Sequence, residues 1–197
     1  MQALLLLSGG ASLIYQVIWA RRMTLVLGGT ARGVAMVLAT FMLGLALGAI
    51  AIGRYGDKVR SPLRLYGMLE IGAAVTGLAV TALAAHLPSL HASSHYSLVA
   101  FAALTLLVVP TVLMGATLPA MLAYVHRVGE KPAEALGPLY SANTFGALAG
   151  AALAGFVLIE NLGLWGAACV AAALEVVAGV CAIALDRTPP ATKPQLR

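Results

Sequence analysis

Between residues 33 and 53 no side chain carries a charge, and the run is as long as a membrane is thick. About 20 apolar residues in a helix rising about 1.5 Å each cover a hydrocarbon core of about 30 Å. Comparable apolar spans occupy approximately 3–20, 63–85, 97–125, 139–159 and 163–185. Lipid offers no water to backbone N–H and C=O groups, so spanning elements are helices or a closed barrel. These runs are continuous rather than alternating, which excludes the barrel. With 61% hydrophobic residues, 10% charged residues and a mean hydropathy of +0.95, a soluble domain of this length is ruled out. The sequence predicts an all-α integral membrane protein: a six-helix transmembrane domain over 1–187 and a Pro-rich cytoplasmic tail over 188–197.

Punctuation supports that division. Breaks fall at "ARRMTLVLGGTAR", "RYGDKVRSP", "HLPSLHASSHYS", "HRVGEKPAEALGP" and "ENLG". The opening "MQALLLLSGGAS" lacks the basic flank of a signal peptide and reads as the first membrane helix. Lysine and arginine then set orientation. One side receives Arg54, Lys58, Arg60, Arg64, Arg127, Lys131, Arg187, Lys193 and Arg197, and the other receives only Arg21, Arg22 and Arg32. The richer side is cytoplasmic by the positive-inside rule, so both termini face the cytoplasm and the protein belongs in the cytoplasmic (inner) membrane. The same charges beside anionic headgroups account for a pI near 9.6, with no nucleic-acid partner required. Cys169 and Cys181 point to different faces of one helix and indicate neither a disulfide nor a metal. No cofactor motif is present.

The glycines carry an internal echo. One span reads Gly44-x3-Gly48-x4-Gly53 and another Gly146-x3-Gly150-x4-Gly155. Residues four apart share a helix face, so Gly44/Gly48 and Gly146/Gly150 are expected to be flat strips for helix packing. Gly53 and Gly155 lie about 180° round from the first glycine of each trio. Two accounts of the echo stand: a 3+3 inverted repeat of the transporter kind, or coincidence among 21 glycines.

Five motifs, "SGGASLIYQVIWARRM" (8–23), "FMLGLALGAIAIGRYGDKVR" (41–60), "PLRLYGMLEIG" (62–72), "PTVLMGATLPAML" (110–122) and "LYSANTFGALAGAALAGFVLIENLG" (139–163), follow one another in order. Together they resemble the N-terminal membrane region of the fused membrane spermidine synthases, over about residues 8–165. That resemblance implies a six-helix bundle akin to half of a major facilitator transporter, preceding a cytosolic aminopropyltransferase-like domain. Gly53, Asp57, Lys58 and Arg60 also resemble the facilitator loop motif, with Arg60 where that motif prefers glycine. After residue 187 only ten residues follow, with no Gly-rich nucleotide loop and no paired catalytic aspartates. The expectation is therefore not an enzyme; aminopropyl transfer would need a separate chain, and the cytoplasmic C-terminal side would suit docking it.

Several residues are candidates for ligand binding. Glu70 and Glu175 are carboxylates within spans, where a charge costs about 2.5–3.5 kcal/mol and usually marks function. Glu70 has a structural alternative, an ion pair with Arg54 and Lys58 or snorkelling to the interface. Tyr15 and Gln16 form a polar step with Trp19, whose place near a span end reads as an interfacial belt. Asn143 and Thr144 open the fifth span, where capping, interhelical bonding or ligand contact all fit. Asp57 with Arg54, Lys58 and Arg60 is a candidate conformational latch. His86, His91 and His95 lack acidic or cysteine neighbours, so no metal site is expected. Pro110 and Pro119 flank Gly115 and predict a kink with freed carbonyls. Two functions fit: a transporter-like module for a small cationic or amine ligand, or a non-catalytic accessory or scaffold subunit. The expected partners are the lipid bilayer and other membrane subunits or a second copy of the chain.

Overall fold

The computed structural model describes residues 1–27, 31–86 and 96–186. Every element among them is helical: α1 (Gln2–Leu27), α2 (Ala31–Tyr55), a 3-10 turn (Gly56–Lys58), α3 (Pro62–Ala84), α4 (Tyr96–Arg127), α5 (Pro132–Leu153), a π turn (Ala154–Leu158) and α6 (Ile159–Leu185). Among the described residues, five helical stretches are long and apolar enough to cross a membrane: Gln2–Thr24, Gly33–Tyr55, Pro62–Ala84, Phe101–Arg127 and Pro132–Leu185.

The last stretch is 54 residues, which would be about 80 Å if straight. It does not run straight. Gly163 has φ 69° and ψ 179°, a conformation open to glycine and closed to residues with a Cβ. Leu139, near the start of the stretch, shares a core cluster with Ala178 and Ala182, near its end. The chain therefore travels out along α5 and returns along α6.

Two boundaries differ from the sequence expectation. α1 continues through Arg21 and Arg22 to Leu27, because arginine, methionine and leucine all favour helix and no breaker precedes Gly28. α5 starts at Pro132, after extended Lys131, because proline suits the first helical turn, where its missing N–H is not needed. "PAEALGP" is thus helix rather than loop, and Asn143 and Thr144 lie well inside α5 instead of opening it. α4 stays one helix through Pro110 and Pro119, although each proline frees the carbonyl four residues earlier, on Leu106 and Gly115.

Three close helix pairs build the bundle, and glycine makes each of them. α1 and α5 run parallel, with Gly146 against the Leu6 backbone and Gly150 against that of Gly10. α2 and α4 run parallel, with Gly44 against Thr111, Gly48 against Val112 and Ala116, and Gly115 against Leu45. α3 and α6 cross antiparallel where Gly67 and Gly179 face each other; a Cβ on either would lie 2.6–2.7 Å from the other's carbonyl oxygen. Small residues that let backbones approach drive association where lipid provides no hydrophobic force between helices. A Cβ on Gly53 or Gly155, by contrast, would meet no neighbouring helix within 4 Å.

α1 is the most enclosed helix, burying Leu5, Ile14, Tyr15, Ile18, Trp19 and Met23. α2 sits at the edge and exposes Met42, Leu43, Leu47 and Ile50, the composition of a lipid-facing surface. At one end of the bundle Arg127 Nη1 donates to the Arg60 carbonyl at 3.0 Å, tying the α2–α3 turn to the end of α4.

Candidate functional site

The α3·α6 crossing sets the site. Glu70 lies one turn beyond Gly67 on α3, and Glu175 one turn before Gly179 on α6. Because the two helices are antiparallel, these offsets bring both acids to the same level of the bundle. The glycine contact pulls them inside: each is only 1% exposed. The Glu70 β-carbon would lie 3.3 Å from a Cβ placed on Gly179, and the two carboxyls are near enough for their charges to interact.

α1 closes the third side. The Ser8 and Tyr66 hydroxyls lie beside the Glu70 carboxyl, and Tyr66 also donates to the Leu4 carbonyl at 3.0 Å. Tyr15 lies within the electrostatic reach of Glu175 and donates to the Ala74 carbonyl at 3.3 Å. Its ring packs against Gly77, where any side chain would overlap it, and stacks on Trp19 at 5.1 Å between centroids. Trp19 Nε1 donates to Thr81 Oγ1 at 3.0 Å, and Thr81 in turn donates to the Gly77 carbonyl at 2.8 Å. A polar seam thus runs along α1, α3 and α6.

The carboxyls are not consumed by this network. Glu70 Oε1 and both Glu175 oxygens are buried with no hydrogen-bond partner among the described residues. Such atoms are rare, because each leaves a desolvation cost uncompensated. The ion pair of Glu70 with Arg54 and Lys58 does not form: Arg54 is exposed and Lys58 lies 5.6 Å from the Tyr55 ring centroid. Among the described residues, an ion pair does form between Lys131 and Glu134, at 2.8 Å on the surface.

Of the residues singled out from sequence, the fold gathers Tyr15, Glu70 and Glu175. Trp19 is fully buried and hydrogen-bonded, not interfacial, because α1 extends past it and Thr81 provides an internal acceptor. Gln16 is half-buried on α1. Asn143 packs over Gly9 in the middle of α5, which removes the capping role, and Thr144 bonds its own helix at the Tyr140 carbonyl, 2.9 Å away. The Asp57 side chain, His91 and His95 lie outside the described residues. No cluster of potential metal ligands occurs among those described. Cys169 and Cys181 are exposed thiols. Ser8, Tyr66 and Thr81 belong to the seam although sequence did not single them out. For Tyr66 a signal existed, since it precedes Glu70 by four residues and so shares its face.

The described clefts lie elsewhere. One of about 310 Å³ opens between Ile52, Gly56, Ala123 and His126, and another of about 530 Å³ between Met1, Gln2, Val125 and Leu139. Glu70 and Glu175 line neither, so the acids are shut off from both. Chemically, two carboxyls with hydroxyls around them in an apolar interior can hold a cation or exchange protons. Comparison with family models, curated proteins and solved structures finds no match to this chain.

Proposed function

We propose that this chain is a six-span membrane module of transporter type that holds a small cationic or amine ligand between Glu70 and Glu175. One observation carries the reading: two fully buried carboxyls lie at one level of the α3·α6 crossing, with oxygens left unpartnered and no ion pair to either among the described residues. Acids inside a membrane bundle belong to ion and substrate sites far more often than to packing.

The six-span reading is supported by the return at Gly163, which would divide Pro132–Leu185 into two crossings. An even number of spans puts both termini on one side, and the lysine and arginine bias makes that side cytoplasmic. A 3+3 inverted repeat is supported by the pairing of helices. Exchanging α1 with α4, α2 with α5 and α3 with α6 turns the α1·α5 pair into the α4·α2 pair and leaves α3·α6 in place. Residue spacing agrees: Gly10 and Gly115 are 105 apart, as are Glu70 and Glu175, while Gly44/Gly48 and Gly146/Gly150 are 102 apart. Inverted-repeat transporters bind substrate where the repeats meet, near the midplane. The resemblance to fused membrane spermidine synthases points the same way, toward an amine.

Binding of linear polyamines to the protein in lipid nanodiscs tests this reading. Saturable binding is expected for the wild type, weakened about tenfold or more in Glu70→Gln, which is about 1.4 kcal/mol. Absence of a saturable signal in the wild type removes the ligand. The scaffold reading draws on a different observation, the closure of the interior acids from the described clefts. It predicts stoichiometric membrane partners on purification in mild detergent. Its weak point is that the glycine strips are already filled by this chain's own helices.

A further inference from the structure

Resting on the ligand reading above, a second question is what holds the two acids when no ligand is there. We propose that Glu70 and Glu175 are a proton-exchange pair: both carry protons in the ligand-free state, and entry of a cation drives one proton out to water.

Charge conservation in the interior is the first argument. A lone carboxylate in an apolar interior is costly, and two within interaction distance cost more. The groups that face the pair supply no compensating charge. α1 contributes Ser8 and Tyr15, α3 contributes Tyr66, and the nearest thiol, Cys169 of α6, is exposed. The basic residue closest along α1, Arg21, is exposed and lies six residues beyond Tyr15, about 9 Å along the helix. Two protons therefore satisfy the site as it stands.

The second argument is the unused bonding capacity. Glu70 Oε1 and both Glu175 oxygens, three buried atoms in all, have no partner among the described residues. A cation arriving between the helices finds these oxygens from both sides at one level. Ser8 can donate to a carboxylate formed at Glu70, as hydroxyls do for buried anions, while the Tyr66 proton is held by the Leu4 carbonyl. The step balances: a carboxylic acid and a cation become a carboxylate–cation pair, and the proton leaves to solvent. The O–H bond breaks, no electrons change hands, and the net charge of the interior is the same before and after. That neutrality is what distinguishes exchange from simple uptake, which would leave a charge uncompensated in the bilayer.

Calorimetric titration of the wild-type protein with methylammonium, sodium and butylammonium, each in phosphate and in Tris, tests the exchange. The heats are expected to differ between the two buffers by the equivalent of about one proton released per cation bound. Affinity is expected to fall about tenfold for each pH unit downward while the pair remains protonated. Saturable binding with the same heat in both buffers and no pH dependence overturns the exchange but leaves the cation site standing. No saturable heat with any of the three cations overturns the site itself and the exchange with it. The wild type suffices for these readings, and Glu70→Gln with Glu175→Gln in one chain should abolish the buffer difference.

Discussion

The α2·α4 and α3·α6 seams use one device, glycine against a neighbouring backbone, and put it to different ends. In α2·α4 the glycines meet Thr111, Val112 and Ala116. Thr111 has already bonded its own helix at the Leu107 carbonyl, 2.7 Å away, so no polar side-chain atom there is left without a partner. In α3·α6 the same closeness holds two acids inside with oxygens unpartnered. Close packing therefore does not call for carboxyls; a dry seam forms without them. What glycine contributes is distance, and what the distance is used for is decided one turn away.

If that contrast is right, substitutions should separate the two seams. Gly48→Leu drives a side chain into the Val112 carbonyl and the Ala116 amide, and should cost about 3 kcal/mol in thermal or denaturant unfolding. Glu175→Leu, on the other seam, should change the same stability by less than about 1 kcal/mol, because it replaces an unsatisfied buried polar group with an apolar one. A large loss in both would erase the distinction. Tyr66→Phe removes the bond to the Leu4 carbonyl and should cost about 1 kcal/mol, together with weaker cation binding from the loss of a hydroxyl beside Glu70. Trp19→Phe is the smallest change. It deletes the bond to Thr81, whose hydroxyl keeps its own acceptor, and should cost about 0.6 kcal/mol with cation binding unchanged.

Much of the fold could be read from the chain, because lipid permits so few solutions. Apolar length alone marks the helices, and the interval from Gly44 to Gly48 marks a flat face. Which helix fills that face could not be read. Both parallel pairs skip a partner, α1 joining α5 and α2 joining α4, and a glycine says only that some backbone can come near. The boundary at "ENLG" shows a different limit. Three of its four residues are helical, and the reversal rests on the backbone of Gly163 alone. At the site, Glu70 and Glu175 stand out individually as acids in apolar runs. Their meeting depends on the Gly67–Gly179 crossing, which no local pattern encodes. Trp19 misleads for the same reason: an aromatic near arginines resembles an interface until Thr81 is seen beside it.

The skipped pairing has a consequence for how the protein is made. Ribosomes add about 5–20 residues per second, so the face on Gly44 waits about 3–13 s before Thr111 has been synthesised, and the one on Gly10 waits about twice as long for Gly150. Through that interval α2 stands in the bilayer without the helix it fits, and so does α1. Each nascent helix carries a bare strip suited to any passing small-residue surface. Assembly is thus most vulnerable to wrong partners midway through translation, before α5 and α6 have been made.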